Sequence, residues 1–91
     1  MERTRFTIEF ADQTVLDEIR KLPKSVQIMI SKAMQERLQF DPLSYGKPLR
    51  YSLKGHRSLR VSNYRIIYRV ENEKVNVLIV KVDIRRDVYE D

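Results

Sequence analysis

The sequence predicts an α+β fold: two helices from the N-terminal half, packed on one face of a small, mostly antiparallel four-stranded sheet, in the order β-α-α-β-β-β. Three observations carry this. Residues 5–10 alternate apolar and polar side chains, and residues 24–40 set apolar side chains at helical spacing. Residues 57–82 then hold three more alternating or apolar segments, separated by short polar turns. A chain of 91 residues fits one domain spanning 1–91 and leaves no room for a second core.

In residues 5–10, Phe6, Ile8 and Phe10 share one face, with Arg5, Thr7 and Glu9 on the other, as a half-buried strand requires. Asp12 is a suitable N-cap for a short helix carrying Val15, Ile19 and Leu22. Pro23 ends that helix, because proline disfavours α geometry in the residue before it. The same proline suits the first turn of a second helix running to about residue 40, with Val26, Met29, Ile30, Ala33 and Met34 in one stripe. Arg37 falls at the end of that stripe, where its stem can snorkel, and Ile28 projects alone from the opposite side. Pro42, Gly46 and Pro48 mark a turn-rich connection.

The strand predicted over 57–61 points Leu59 and Val61 inward and Ser58 and Arg60 outward. Ser62-Asn63 turns the chain into a strand over 64–70, with Ile66, Tyr68 and Val70 on one face and Arg65, Ile67 and Arg69 on the other. The last strand, 75–82, is apolar on both faces for most of its length and so belongs inside the sheet. Two consecutive helices can cover one face only. Arg60, Arg65 and Arg69 lie on the other, and alternation counted from Val77 and Ile79 adds Lys81 to it, with Arg85 near its edge. Arg57 has the parity of the core side, at its rim.

Charge singles out that open face. Residues 42–70 hold seven Lys/Arg and no Asp or Glu, whereas the rest of the chain holds 11 basic and 13 acidic residues. The formal charge of +5 therefore comes from one third of the sequence, and such segregation suits a polyanionic partner, above all a nucleic-acid backbone. Other chemistries lack their residues. One His and no Cys offer no transition-metal ligand set, and no cofactor is implied. Gly46 and Gly55 stand alone and make no phosphate-binding loop, and His56 reads as a solvated loop residue. The absence of Cys fits a reducing compartment, no apolar run spans a membrane, and the charges at Glu2, Arg3, Arg5 and Glu9 do not read as a secretory signal; the expectation is cytoplasmic. The open face provides fixed charge and forked donors for phosphate oxygens. The same groups would stabilise the extra charge that develops when a ribose 2′-OH attacks its neighbouring phosphate. Arginine stays protonated, so proton transfer falls to Tyr89, Lys81 or His56. Plain solvation of an exposed sheet and binding without cleavage remain the simpler readings.

The stretch from Leu53 to Val70 (LKGHRSLRVSNYRIIYRV) and the closing stretch from Val80 to Tyr89 (VKVDIRRDVY) resemble the signatures of the RelE/ParE toxin superfamily. The resemblance implies the toxin of a type II toxin–antitoxin pair, held inactive by a cognate antitoxin in a hetero-oligomer. In the RelE branch it implies an endoribonuclease that cuts mRNA on the ribosome. By resemblance, Arg60 orients the RNA, Arg65 and Arg85 stabilise the scissile phosphate, and Tyr89 stacks on a base or assists proton transfer. Lys54, Arg57, Arg69, Lys81 and Arg86 are further basic residues expected to contact RNA, Lys54 and Arg57 on the ribosomal RNA. The chain departs from many relatives at Ser58, where some carry Lys or Arg, and at Asp83 and Ile84, where many carry Gly-His. The ParE branch shares the fold but inhibits DNA gyrase and has a long helical hairpin, whereas the helices read here are modest. A non-catalytic RNA-binding module is the third expectation.

Overall fold

The computed structural model describes residues 5–84. Strand β1 (Thr7–Phe10) leads into α1 (Gln13–Arg20) and α2 (Lys24–Ala33), which continues as a π-helical turn, Met34–Leu38. A single helical turn, α3 (Pro42–Tyr45), precedes β2 (Lys47–Pro48). Strands β3 (Arg57–Val61), β4 (Tyr64–Glu71) and β5 (Asn76–Ile84) complete a five-stranded sheet of order β1-β5-β4-β3-β2. All neighbours are antiparallel except β1 and β5, which run parallel. The α+β class and the covering of one sheet face by helices agree with the sequence reading, but the strand count is five rather than four. The added strand is two residues long and contains Pro48, so it shows no alternation and carries a residue usually confined to sheet edges.

The helices form for the expected reasons. Asp12 caps α1, its Oδ1 accepting from the Val15 amide at 3.2 Å. The carbonyls freed where α1 stops before Pro23 are met by Gln27, whose Nε2 donates to Leu22 O at 2.8 Å and Arg20 O at 3.1 Å. Val15, Ile30, Ala33, Met34 and Leu38 then pack on Leu59, Val61, Ile66, Tyr68, Val77, Ile79 and Val82. Burying these side chains at roughly 1.5–3 kcal/mol each is the main force holding helices to sheet.

One helix position departs from expectation. Arg37 is exposed rather than snorkelling within the apolar stripe, and Leu38 is fully buried instead. The π turn is the cause: the Gln39 amide donates to Met34 O at 3.0 Å, a five-residue span that rotates the side chains beyond it. Ile28 is 56% exposed and stands apart from the core.

The β3–β4 hairpin closes through Ser62-Asn63, and Ser62 has φ +56°. An L-residue in this left-handed region is strained, and the first position of such a two-residue turn favours glycine. Ser62 is exposed, so replacing it removes no packing. Ser62→Gly is expected to stabilise the fold by about 0.5–1 kcal/mol, read as a higher urea midpoint with an unchanged slope.

Candidate functional site

Sheet register sorts the open-face residues into rows. Arg60 on β3 stands opposite Arg65 on β4, and Arg65 stands opposite Asp83 on β5. The next row runs Lys47, Ser58, Ile67, Lys81 across four strands. Ile67 is only 3% exposed yet lies outside the helix-side core, so it forms an apolar floor between the cations. Sequence reading had no sign of Lys47 in this row, because its two-residue strand was not visible.

Lys81 reaches this face by a route alternation does not give. Val77 and Ile79 are fully buried on the helix side, so strict alternation from them would bury Lys81 as well. Tyr68 pairs with Ile79 and Ile67 with Lys81, which leaves Val80 as an extra residue, a β-bulge. The bulge flips the strand, turning Lys81 and Asp83 outward and Val82 inward.

Asp83 moderates the charge around it. Its Oδ2 lies 3.9 Å from Arg65 Nη2 and 3.7 Å from Lys81 Nζ, while its Oδ1 accepts from the Ile84 amide at 3.0 Å. At such lengths and with partial exposure these pairs are worth at most about 1 kcal/mol. Their larger effect is on the local field: among the described residues, Asp83 stands beside both Arg65 and Lys81. For any polyanion held on this face, Asp83→Asn is therefore expected to tighten binding about threefold at low salt, with the gain shrinking as salt rises. Fluorescence anisotropy titrations at two ionic strengths measure it.

The far end of the face is acidic. Arg69 is exposed opposite Leu78, and beyond it the Asn76 amide donates to Glu71 at 2.8 Å and Glu9 at 3.0 Å. Thr7 Oγ1 donates to Asn76 Oδ1 at 2.8 Å, so this buried amide ties β1, β4 and β5 together.

Arg57 faces the other way. Its Nη2 donates to Leu43 O and to Gly46 O, each at 2.7 Å. Opposite it, Tyr68 Oη donates to Pro42 O at 2.5 Å. The two side chains clamp the α3 turn against the sheet, which gives Arg57 a structural engagement on the helix side. Burial raises the Tyr68 hydroxyl above its ordinary 10.0, with the neighbouring Arg57 acting in the opposite sense.

Lys54 is exposed in the loop between β2 and β3, outside the rows of the open face. His56, expected to be solvated, is half-buried, and both its backbone amide and its carbonyl are bonded, to Leu53 O and from the Leu49 amide, each at 3.0 Å. Arg85, Arg86 and Tyr89 lie outside the described residues. Among the described residues no group of three His, Cys, Asp or Glu could hold a metal ion. No helix among them is long and apolar enough to cross a membrane.

Comparison with known proteins agrees with this architecture. The family model for the ParE toxin of the type II toxin–antitoxin system parDE matches residues 9–89. The toxin RelG of Mycobacterium tuberculosis is 36% identical over 84 residues, covering 92% of this chain and 95% of RelG. The structure is similar to the toxin–antitoxin complex RelBE2 of the same organism, with a TM-score of 0.84, 34% identity, and 94% of this chain and 98% of that one covered. It is also similar to the isolated E. coli RelE toxin, with a TM-score of 0.74, 26% identity, and coverage of 91% and 87%. On the family match, the relative and the fold together, the chain belongs to the RelE/ParE superfamily and is the toxin of a type II toxin–antitoxin system.

Proposed function

We propose that this toxin is an endoribonuclease that cleaves mRNA on the translating ribosome and is silenced by a cognate antitoxin. The observation that carries the reading is the juxtaposition of Arg60 and Arg65 across β3 and β4, with Lys81 in the adjoining row, on the face that the helices leave open. Fixed cations on a rigid sheet suit a reaction that needs alignment and charge stabilisation. The ribose 2′-oxygen attacks the adjacent phosphorus and loses its proton. The bond to the 5′-oxygen breaks, that oxygen takes up a proton, and a 2′,3′-cyclic phosphate remains.

In this reading Arg65 stabilises the phosphorane and Arg60 orients the strand. Arg85 and Tyr89 complete the set by resemblance, Arg85 as a second phosphate ligand and Tyr89 as base-stacking partner or proton carrier. Lys54, Arg69, Lys81 and Arg86 hold the RNA and the ribosome. The structural likeness to a toxin–antitoxin complex supports an antitoxin that covers the helices or the basic face. A ribosomal target places the toxin in the cytoplasm.

The match to the ParE model favours a second reading, inhibition of DNA gyrase. In vitro translation of a defined message with purified toxin separates the two. The nuclease reading expects discrete new 5′ ends by primer extension only when ribosomes are present. Intact messages together with trapped gyrase–DNA breaks would overturn it.

A further inference from the structure

The loop that joins β2 to β3 holds a feature that the sheet face does not use. Tyr51 is 84% exposed, more than any other large hydrophobic residue described, and its backbone has φ +58°. For a bulky aromatic residue that left-handed conformation is a real outlier, costing roughly 1–2 kcal/mol. A Tyr ring held in water on a strained backbone contributes nothing to the core, so the fold gives no reason for it. Strain of this kind concentrates at ligand contacts.

The surroundings indicate the ligand. The flanking Arg50 and Lys54 are both exposed, Tyr45 is 51% exposed, and no carboxylate occurs between Pro42 and Val70. An exposed aromatic ring between cations is the arrangement that holds a single-stranded nucleic acid, with a base on the ring and phosphates on the cations. An acidic peptide would use the cations but gives no role to the ring.

We infer that Tyr51, with Arg50 and Lys54, forms a base-stacking subsite for single-stranded RNA. It lies beyond the Arg57 end of β3, whereas Arg60 and Arg65 sit at the opposite end, three residues or about 10 Å further along the strand. The subsite therefore holds nucleotides remote from the phosphate that Arg65 contacts, and it acts on affinity rather than on the bond-breaking step. The inference builds on the RNA reading above, but binding tests it without any cleavage.

The test is anisotropy titration of a fluorescein-labelled single-stranded RNA with wild type, Tyr51→Phe and Tyr51→Gly, alongside urea unfolding of each. Tyr51→Gly relieves the backbone, so the fold gains stability while RNA affinity falls about tenfold, the size of one lost stack. Tyr51→Phe keeps the ring and binds like wild type. Arg50→Gln with Lys54→Gln lowers the log–log salt slope by about 1.4, two single-strand phosphate contacts. If Tyr51→Gly binds as wild type does, if wild type binds no free RNA, or if only an acidic peptide competes for the loop, the inference is overturned. Ring-dependent binding together with uncut messages on ribosomes would instead remove the nuclease reading and leave this subsite standing.

Discussion

Arg65→Ala is expected, on the proposed nuclease function, to lower single-turnover cleavage on ribosomes by about 10²–10³-fold, the usual loss when one preorganised donor to a developing anion is removed. The fold should survive. Arg65 lies on the open face, away from the helix-side core, and its contact to Asp83 is long and partly solvated. Urea unfolding of the variant is expected to stay a single cooperative transition, since no residue of the helix-side core is touched. Arg65→Lys retains the charge but not the fork and should recover only part of the rate. Lys81→Ala, in the neighbouring row, should instead weaken binding with a shallower salt dependence. Equal cleavage by wild type and Arg65→Ala would remove Arg65 from the chemistry.

Gly46→Ala is expected to be strongly destabilising. An added Cβ would overlap Tyr68 Oη and lie 2.8 Å from Cζ and 2.9 Å from Cε1. The ring cannot retreat, because Tyr68 is fully buried and its hydroxyl is bonded to Pro42 O. The expected cost is about 3 kcal/mol, near the upper end for overpacking, or roughly a 10–20 °C fall in Tm for a chain of this size. Tyr68→Phe removes the atom in closest conflict, so the double variant should be less unstable than the two single losses added together. Tyr68 also sets an alkaline limit. Its hydroxyl titrates higher in the folded chain than in the unfolded one. The stability from keeping it neutral is complete below about pH 10 and is lost as pH rises through the folded value. Tyr68→Phe, though less stable at neutral pH, should not show that additional alkaline loss.

The course of the chain from Arg57 to Glu71 was readable because alternation, one tight turn and a buried aromatic all gave the same register. Three features were not. The π turn at Met34–Leu38 adds a residue to a helix without changing its composition, so Arg37 took Leu38's place in the expected stripe. The bulge at Val80 is equally silent, since any of the apolar residues of β5 could have been the extra one. Lys81 was placed on the correct face only because two departures cancelled: Val77 and Ile79 lie on the helix side, and the bulge reverses the facing of the residues after it. Lys47 was missed because a strand of two residues has no period. For the candidate site, the placing of Arg60 and Arg65 on one face was legible from the alternation of the two hairpin strands. The clamp by Arg57 on Leu43 and Gly46 was not, since its partners are backbone carbonyls that no side-chain pattern announces.

The amide of Asn76, which gathers Glu9 and Glu71 at one end of the sheet, has a kinetic consequence. With Arg60 and Arg65 at the other end, the charges of the described residues are graded along the open face rather than spread evenly over it. A polyanion drifting towards it meets attraction at one end and repulsion at the other, and so experiences a torque before it touches anything. The two carboxylates thus sort encounters by orientation, turning a strand end-on before the arginines engage it, and their influence falls on association rates at low salt.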